Sequence, residues 1–227
     1  MHEKRLIALG GAGLVVQEVS VVGRERTSSE NLMAALDVKR GDSIVDFDPE
    51  AARQRLEKLG WVEQASVMRR YPDEIFVRLQ ERRPFARWQS KEHTMVIDRK
   101  GIVVSKRDQA EFRHLPKVVG PGANDKAAEL FDLLSKSPAL FTRLQNAVRV
   151  RDRRWNLEFS NGVQVMLPEE GSAHAWSKLE VLQANRKILN KGLVAIDLRN
   201  NDRMFVRLRP ADAEFRREAI TSSGDRT

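Results

Sequence analysis

The chain has 227 residues, enough for one large domain or two small ones with a real core. Hydrophobic residues make up 41% and charged residues 32% without any long biased tract, which excludes wholesale disorder, and the lack of cysteine excludes disulfides, thiol catalysis and thiolate metal sites. The net charge of +8 is concentrated: residues 83–209 carry 24 basic and 14 acidic groups, against 13 and 14 in residues 1–82 and 3 and 4 in residues 210–227, so the middle segment is the one expected to meet something acidic.

Met1 to Arg5 followed by the apolar stretch Leu6 to Val16 has the outline of a secretory signal, but no small-x-small cleavage site follows. Eleven apolar residues are too few to span a bilayer. Residues 1–13 are expected to be a remnant of sequence preceding the first domain. Val15 to Val22 is β-rich and closes at Gly23. Ser28 or Ser29 caps a short helix with Leu32 and Leu36 at i, i+4 spacing. Asp48-Pro49 opens a second helix, whose Ala52, Leu56 and Leu59 share a face and which Gly60 is expected to close. Trp61 to Met68 reads as a strand, Tyr71-Pro72-Asp73 as a turn, and residues 74–81 as a strand with Ile75, Val77 and Leu79 on one face and Arg78 and Gln80 on the other. The resulting β-α-α-β-β unit is a small sheet covered by two helices on one side.

After Arg83-Pro84 the pattern changes. Short strands are expected over 85–90, 93–98 and 102–106, a turn at 98–101, a loop over 115–122, and helices near 124–135 and 138–145. Two hairpins follow, separated by an amphipathic helix over 172–189 with Trp176, Leu179, Leu182, Arg186 and Leu189 near one face. The overall class is α+β, the second unit mostly antiparallel β with a few helices. Residues 210–227 are expected to be a disordered tail.

Both hairpin registers can be argued. In the first, a three-residue loop at Ser160-Asn161-Gly162 pairs Phe159 with Val163, Leu157 with Val165 and Trp155 with Leu167, which puts every large apolar group on one face and Gly162 in a left-handed position. In the second, a loop at Asn200-Asn201-Asp202 pairs Leu198 with Met204, Ile196 with Val206 and Val194 with Leu208. The opposite face then shows Asp197, Arg199, Arg203, Phe205, Arg207 and Arg209, with Arg199 directly across from Arg203. Like charges at that distance destabilise a strand pair, so this face suits an acidic, partly apolar partner better than plain scaffold. A solvated basic face with one stray aromatic is the bland alternative.

Catalytic patterns are missing. His2, His93, His114 and His174 lack metal-ligand spacing, and Gly41-Asp42-Ser43 lacks the closing glycine of a nucleophile elbow. Gly10-Gly11-Ala12-Gly13 is followed by no Gly-Lys-Ser/Thr. No cofactor is indicated, and a hydrolase would need an unrecognised carboxylate pair. Nucleic-acid binding has the basic footprint, with Arg149, Arg151, Arg153 and Arg154 as its strongest feature, but a strand there would send alternate residues to opposite faces.

The runs Val19-Ser20-Val21-Val22-Gly23, Gly41-Asp42-Ser43-Ile44 and Leu59 to Val67 resemble a POTRA (polypeptide-transport-associated) domain of the bacterial FtsQ/DivIB division family. Arg69-Arg70-Tyr71-Pro72-Asp73, Glu81 to Trp88, Val96-Ile97-Asp98, Gly101, Leu115-Pro116 and Ile196-Asp197-Leu198-Arg199 continue that resemblance in order. It implies a POTRA domain over 14–82, an FtsQ-type β domain over 83–209, and a non-enzymatic divisome assembly protein held in the inner membrane at the septum, with this region in the periplasm. It further implies that the β domain binds the periplasmic parts of FtsB and FtsL by strand addition at its last strand. The residues matched to that role are Arg199, Arg203, Met204, Phe205, Val206, Arg207 and Leu208, with Arg154 added just before Trp155. Trp61, Trp155 and Trp176 are assigned to the core. The family's cytoplasmic tail and membrane anchor do not appear in this sequence, and Asn200 stands where some family members carry an aromatic after Asp-Leu-Arg. Another POTRA-bearing assembly or secretion factor is the second reading, and a basic nucleic-acid binder the third.

Overall fold

The computed structural model describes residues 14–106, 110–200 and 202–210. The expectations for residues 1–13 and for the tail beyond Pro210 lie outside these. The chain divides between Arg83 and Pro84 into two compact units.

In the first unit the elements are β1 (Glu18–Val22), α1 (Ser29–Leu36), α2 (Pro49–Leu56), β2 (Val62–Arg70) and β3 (Glu74–Glu81). The sheet order is β1-β3-β2, with β1 parallel and β2 antiparallel to β3. Ile75, Val77 and Leu79 face Leu32, Leu36, Ala52 and Leu56, so the alternation along β3 and the helical spacings meet in one core. On the other face Phe76 is buried under the Arg70 guanidinium, 3.5 Å from the ring centroid.

Both helix starts follow their caps. Ser28 Oγ accepts the Asn31 N–H at 3.1 Å, and Asp48 Oδ1 accepts the N–H groups of Glu50 and Ala51 at 2.9 and 3.1 Å, with Pro49 at the first position. Asp48→Ala is expected to cost about 1 kcal/mol of stability in a denaturant melt. The end of α2 differs from expectation: it stops at Leu56, a turn before Gly60. Lys58 and Leu59 N–H groups bond back to Arg55 and Leu56 carbonyls in a tighter turn, and the Glu57 carboxylate is held by Arg53 at 2.6 Å and by the Ala65 N–H at 3.2 Å. The first strand is also shorter than expected, because Val16 exchanges backbone bonds with Gly41 and Asp42 rather than with the sheet.

The second unit is a nine-stranded sheet. Its elements are β4 (Ala86–Ser90), β5 (His93–Ile97), β6 (Val103–Ser105), β7 (Lys117–Val119), α3 (Ala123–Leu134), α4 (Pro138–Phe141), β8 (Leu144–Val150), β9 (Arg154–Phe159), β10 (Gln164–Met166), α5 (Ser172–Arg186), β11 (Leu193–Asp197) and β12 (Phe205–Leu208). The strand order is β12-β11-β10-β9-β8-β7-β4-β5-β6. Most neighbours are antiparallel; β4–β7, β7–β8 and β10–β11 are parallel. Ala147, Leu157, Val165 and Ile196 form a fully buried row across β8 to β11, packed with Leu130, Phe131, Trp176 and Leu179 from α3 and α5. Trp155 and Trp176 lie in that core, while Trp61 is only half-buried.

Three expectations are corrected here. The stretch 115–122, read as loop, contains β7, a central strand whose Val118 is fully buried between β4 and β8. The helix expected over 138–145 is only the turn Pro138–Phe141, and Leu144 already opens β8. The helix over 172–189 ends at Arg186, where Lys187 turns left-handed (φ 47°) and Gln183 Oε1 takes the Leu189 N–H at 2.9 Å.

The first hairpin has the argued register: Leu157 faces Val165, Phe159 N–H donates to Val163 O, Leu167 N–H to Trp155 O, and Gly162 has φ 82°. In the second, Ile196 faces Val206 as expected, but a bulge between Leu193 and Ala195 puts Leu208 opposite Leu193 rather than Val194.

Candidate functional site

β12 bonds to β11 on one side, and no described strand lies on the other. It is therefore an open edge with a row of unspent backbone donors and acceptors. Three of its four residues are exposed, including Phe205 at 58% and Val206 at 43%, large apolar groups at a solvent-facing rim.

The register assigns the faces. Asn156, Met166, Asp197 and Phe205 lie in one transverse row, and Val206 ends the buried row that runs through Ile196. Met204 and Leu208 are half-buried against the core, so they anchor the strand rather than present it. Arg203, Phe205, Val206 and Arg207 are exposed. Arg154, distant in sequence, joins them: with Asp197, Arg199, Asn200 and Phe205 it lines an open hollow of about 560 Å³.

The expected clash of Arg199 with Arg203 is not formed. The ladder ends at the pair Asp197 and Phe205, and Arg199 folds back onto Asp197, its Nε 2.9 and 3.0 Å from the two carboxylate oxygens and an Nη at 2.5 Å. The carboxylate also accepts the Arg199 N–H at 3.0 Å. Asp197 is the residue that sequence reasoning missed. Its signal was the Asp-x-Arg spacing, which puts both side chains on one face of an extended chain. Arg154, Arg203, Arg207 and Arg209 are in no salt bridge among the described residues, so they are available to meet an incoming anion.

Hydrogen bonds from the Arg199 side chain hold the Asp197 carboxyl below its ordinary range; burial opposes this, and the Arg199 N–H and the nearby Arg154 charge reinforce it. A depressed folded-state value contributes stability above the unfolded carboxyl range, lost as pH falls through the folded value. Asp197→Asn is thus expected to weaken the parent's acid-side loss of stability, measured as melting temperature from pH 7 down to pH 2.

The basic run 149–154 does not form a stripe. Arg149 pairs with Asp152 at 3.5 Å and lies over the Trp155 ring, and Arg153 pairs with Glu169 at 3.6 Å. Among the described residues no group of three or more His, Asp or Glu is placed to hold a metal ion, and no helix is long and apolar enough to cross a membrane.

Comparison with known proteins matches the POTRA domain, FtsQ-type, to residues 14–82 and the family "Cell division protein FtsQ/DivIB, C-terminal" to residues 86–199. The second match stops before β12. Cell division protein FtsQ of Rhizobium meliloti (strain 1021) is 37% identical over 212 residues, covering 93% of this chain and 68% of that protein. Cell division protein FtsQ of Agrobacterium fabrum is 34% identical over 209 residues (92% and 66%), and that of Caulobacter vibrioides 34% over 202 residues (89% and 66%). The chain thus spans about two thirds of the length of these relatives. Among solved structures, the major extracytoplasmic domain of the trans isomer of the division protein DivIB from Geobacillus stearothermophilus overlaps 48% of this chain and 97% of that chain, at 18% identity and a TM-score of 0.33.

Proposed function

Because the chain belongs to the FtsQ/DivIB family of cell division proteins, we propose that it is a non-enzymatic divisome assembly protein whose second unit binds the periplasmic segments of FtsB and FtsL by strand addition at β12. In this reading the chain is the periplasmic part of a single-pass inner-membrane protein at the division septum and links early and late division proteins.

The observation that carries it is the open β12 edge, exposed along Phe205, Val206 and Arg207, with Arg203 just before it and Arg154 lining the hollow beside Phe205, none of these three arginines in a salt bridge among the described residues. Main-chain bonds from such an edge supply affinity, and the side chains select the partner. Arg154 and Arg207 lie on the same side of the sheet as Phe205, so an acidic residue beside an apolar one on the incoming strand meets complementary groups.

The test is calorimetric titration with a soluble FtsB–FtsL periplasmic fragment. Arg154→Glu is expected to weaken binding about tenfold or more, with the difference shrinking at high salt. Equal affinity of parent and variant would remove Arg154 from the site, and no binding by the folded parent would remove this function.

A further inference from the structure

We propose that Asn200 is a positioning residue of the β12 edge: its side chain holds the turn that delivers β12 in a preformed, paired state. The proposal rests on the binding reading above. β12 is only four residues long, mostly exposed, and tied to β11 through a seven-residue connection, residues 198–204. Within it only Leu208 is half-buried against the core, with Met204 just before it as a second anchor.

Among the described residues of that connection, two side chains act on the backbone of Arg199, Asp202 and Arg203. Asp197 Oδ1 accepts the Arg199 N–H at 3.0 Å, and Asn200 Oδ1 accepts the N–H groups of Asp202 and Arg203 at 2.9 and 3.2 Å. An Asn oxygen accepting backbone donors two and three residues ahead mimics a backbone turn and fixes the chain's direction. Here it sets the direction immediately before Met204 and Phe205, where the ladder with Asp197 begins. Asn200 also lines two hollows, one with Arg154, Asp197, Arg199 and Phe205, the other with His174, Ala175, Lys178 and Leu198.

The physical consequence is preorganisation. A partner strand can spend its main-chain bonds on affinity only if β12 is already ordered; otherwise part of that binding energy goes into ordering it. Losing the Asn200 acceptor frees two loop donors and lets β12 fray without disturbing the core, since an edge hairpin opens at the low end of the stability range.

The test uses Asn200→Ala and Asn200→Asp, the Asp variant keeping an acceptor for the same two N–H groups. Three quantities are read on the whole chain: melting temperature, amide exchange of Phe205 and Arg207 in the free protein, and affinity for the FtsB–FtsL fragment. Asn200→Ala is expected to leave the melting temperature within about 2 °C of the parent. Its β12 protection should fall about tenfold, and its affinity should drop by a similar factor. Asn200→Asp should restore protection and bring affinity back to within about threefold of the parent. An alanine variant with parental protection and affinity would overturn the proposal, as would an aspartate variant no better protected than the alanine one. Absence of binding by the parent would instead overturn the function, and the exchange rates would still decide whether Asn200 holds β12.

Discussion

Replacing Val206 with proline is expected to reduce binding of the FtsB–FtsL fragment at least a hundredfold while the chain stays folded. The Arg209 N–H donates to Gly192 O at 3.0 Å, so it points toward β11. Alternation along an extended strand then turns the N–H groups of Arg207 and Phe205 inward and those of Val206 and Leu208 toward the open edge. Proline at 206 deletes a donor that no internal partner uses, and its ring blocks the approach of a neighbouring strand. Little packing is lost, because Val206 is 43% exposed. Phe205→Pro is the matched control: it removes an inward donor in the pair with Asp197 and should cost about 1–3 kcal/mol by fraying the hairpin. Titration and thermal melting of both variants decide the matter. A folded Val206→Pro protein that binds like the parent would rule out strand addition through β12.

The first unit should be intolerant of a single methyl group at Gly23. This residue has φ +79°, and a Cβ there would lie 2.1 Å from the backbone oxygen of Leu79. Leu79 belongs to β3, the central strand held on both sides, so its carbonyl cannot move aside without breaking the sheet. Gly23→Ala is expected to destabilise the protein by on the order of 3 kcal/mol or more, from the clash together with the left-handed backbone. Gly41→Ala separates the two causes. It also sits at positive φ (+96°), but nothing lies within 4 Å of its Cβ. That substitution should cost only about 1 kcal/mol. Denaturant melts of the pair measure the difference; equal losses would mean that conformation alone governs Gly23.

The legible parts of this fold were those whose cause is local. Asp48-Pro49 names a helix start because its acceptor and its fixed φ act on the next three residues. Residues 74–81 alternate because one face is buried, and Asn161-Gly162 sets a register because glycine alone takes φ 82° without strain. What was not legible depended on distant partners. Lys117-Val118-Val119 sits between breakers and looks like loop, yet it is a core strand because β4 and β8 supply its ladder from either direction along the chain. Leu144 and Ala147 continue a helical spacing from the preceding turn, and only pairing with β9 makes them strand. At the site, alternation placed Phe205, Arg203 and Arg207 on the outward face, whereas Met204 and Leu208, expected among the partner-binding residues, are half-buried against the core. The Arg199 charge was misjudged because alternation puts Asp197 and Arg199 on one face but does not mark that the ladder stops at Asp197 and Phe205, which lets Arg199 fold back onto Asp197 instead of facing Arg203. The bulge at Val194 likewise shifts Leu208 by one position through a local backbone irregularity that no hydrophobic pattern marks.

The central claim is that β12 is the binding edge, and amide exchange tests it most directly. Exchange of the outward N–H groups of Val206 and Leu208 would be followed in the free chain and in the presence of saturating FtsB–FtsL fragment. Fast exchange in the free chain and strong protection of these two amides in the complex are expected, with the amides of β1 to β3 unchanged. Binding that leaves Val206 and Leu208 as unprotected as in the free chain would contradict it.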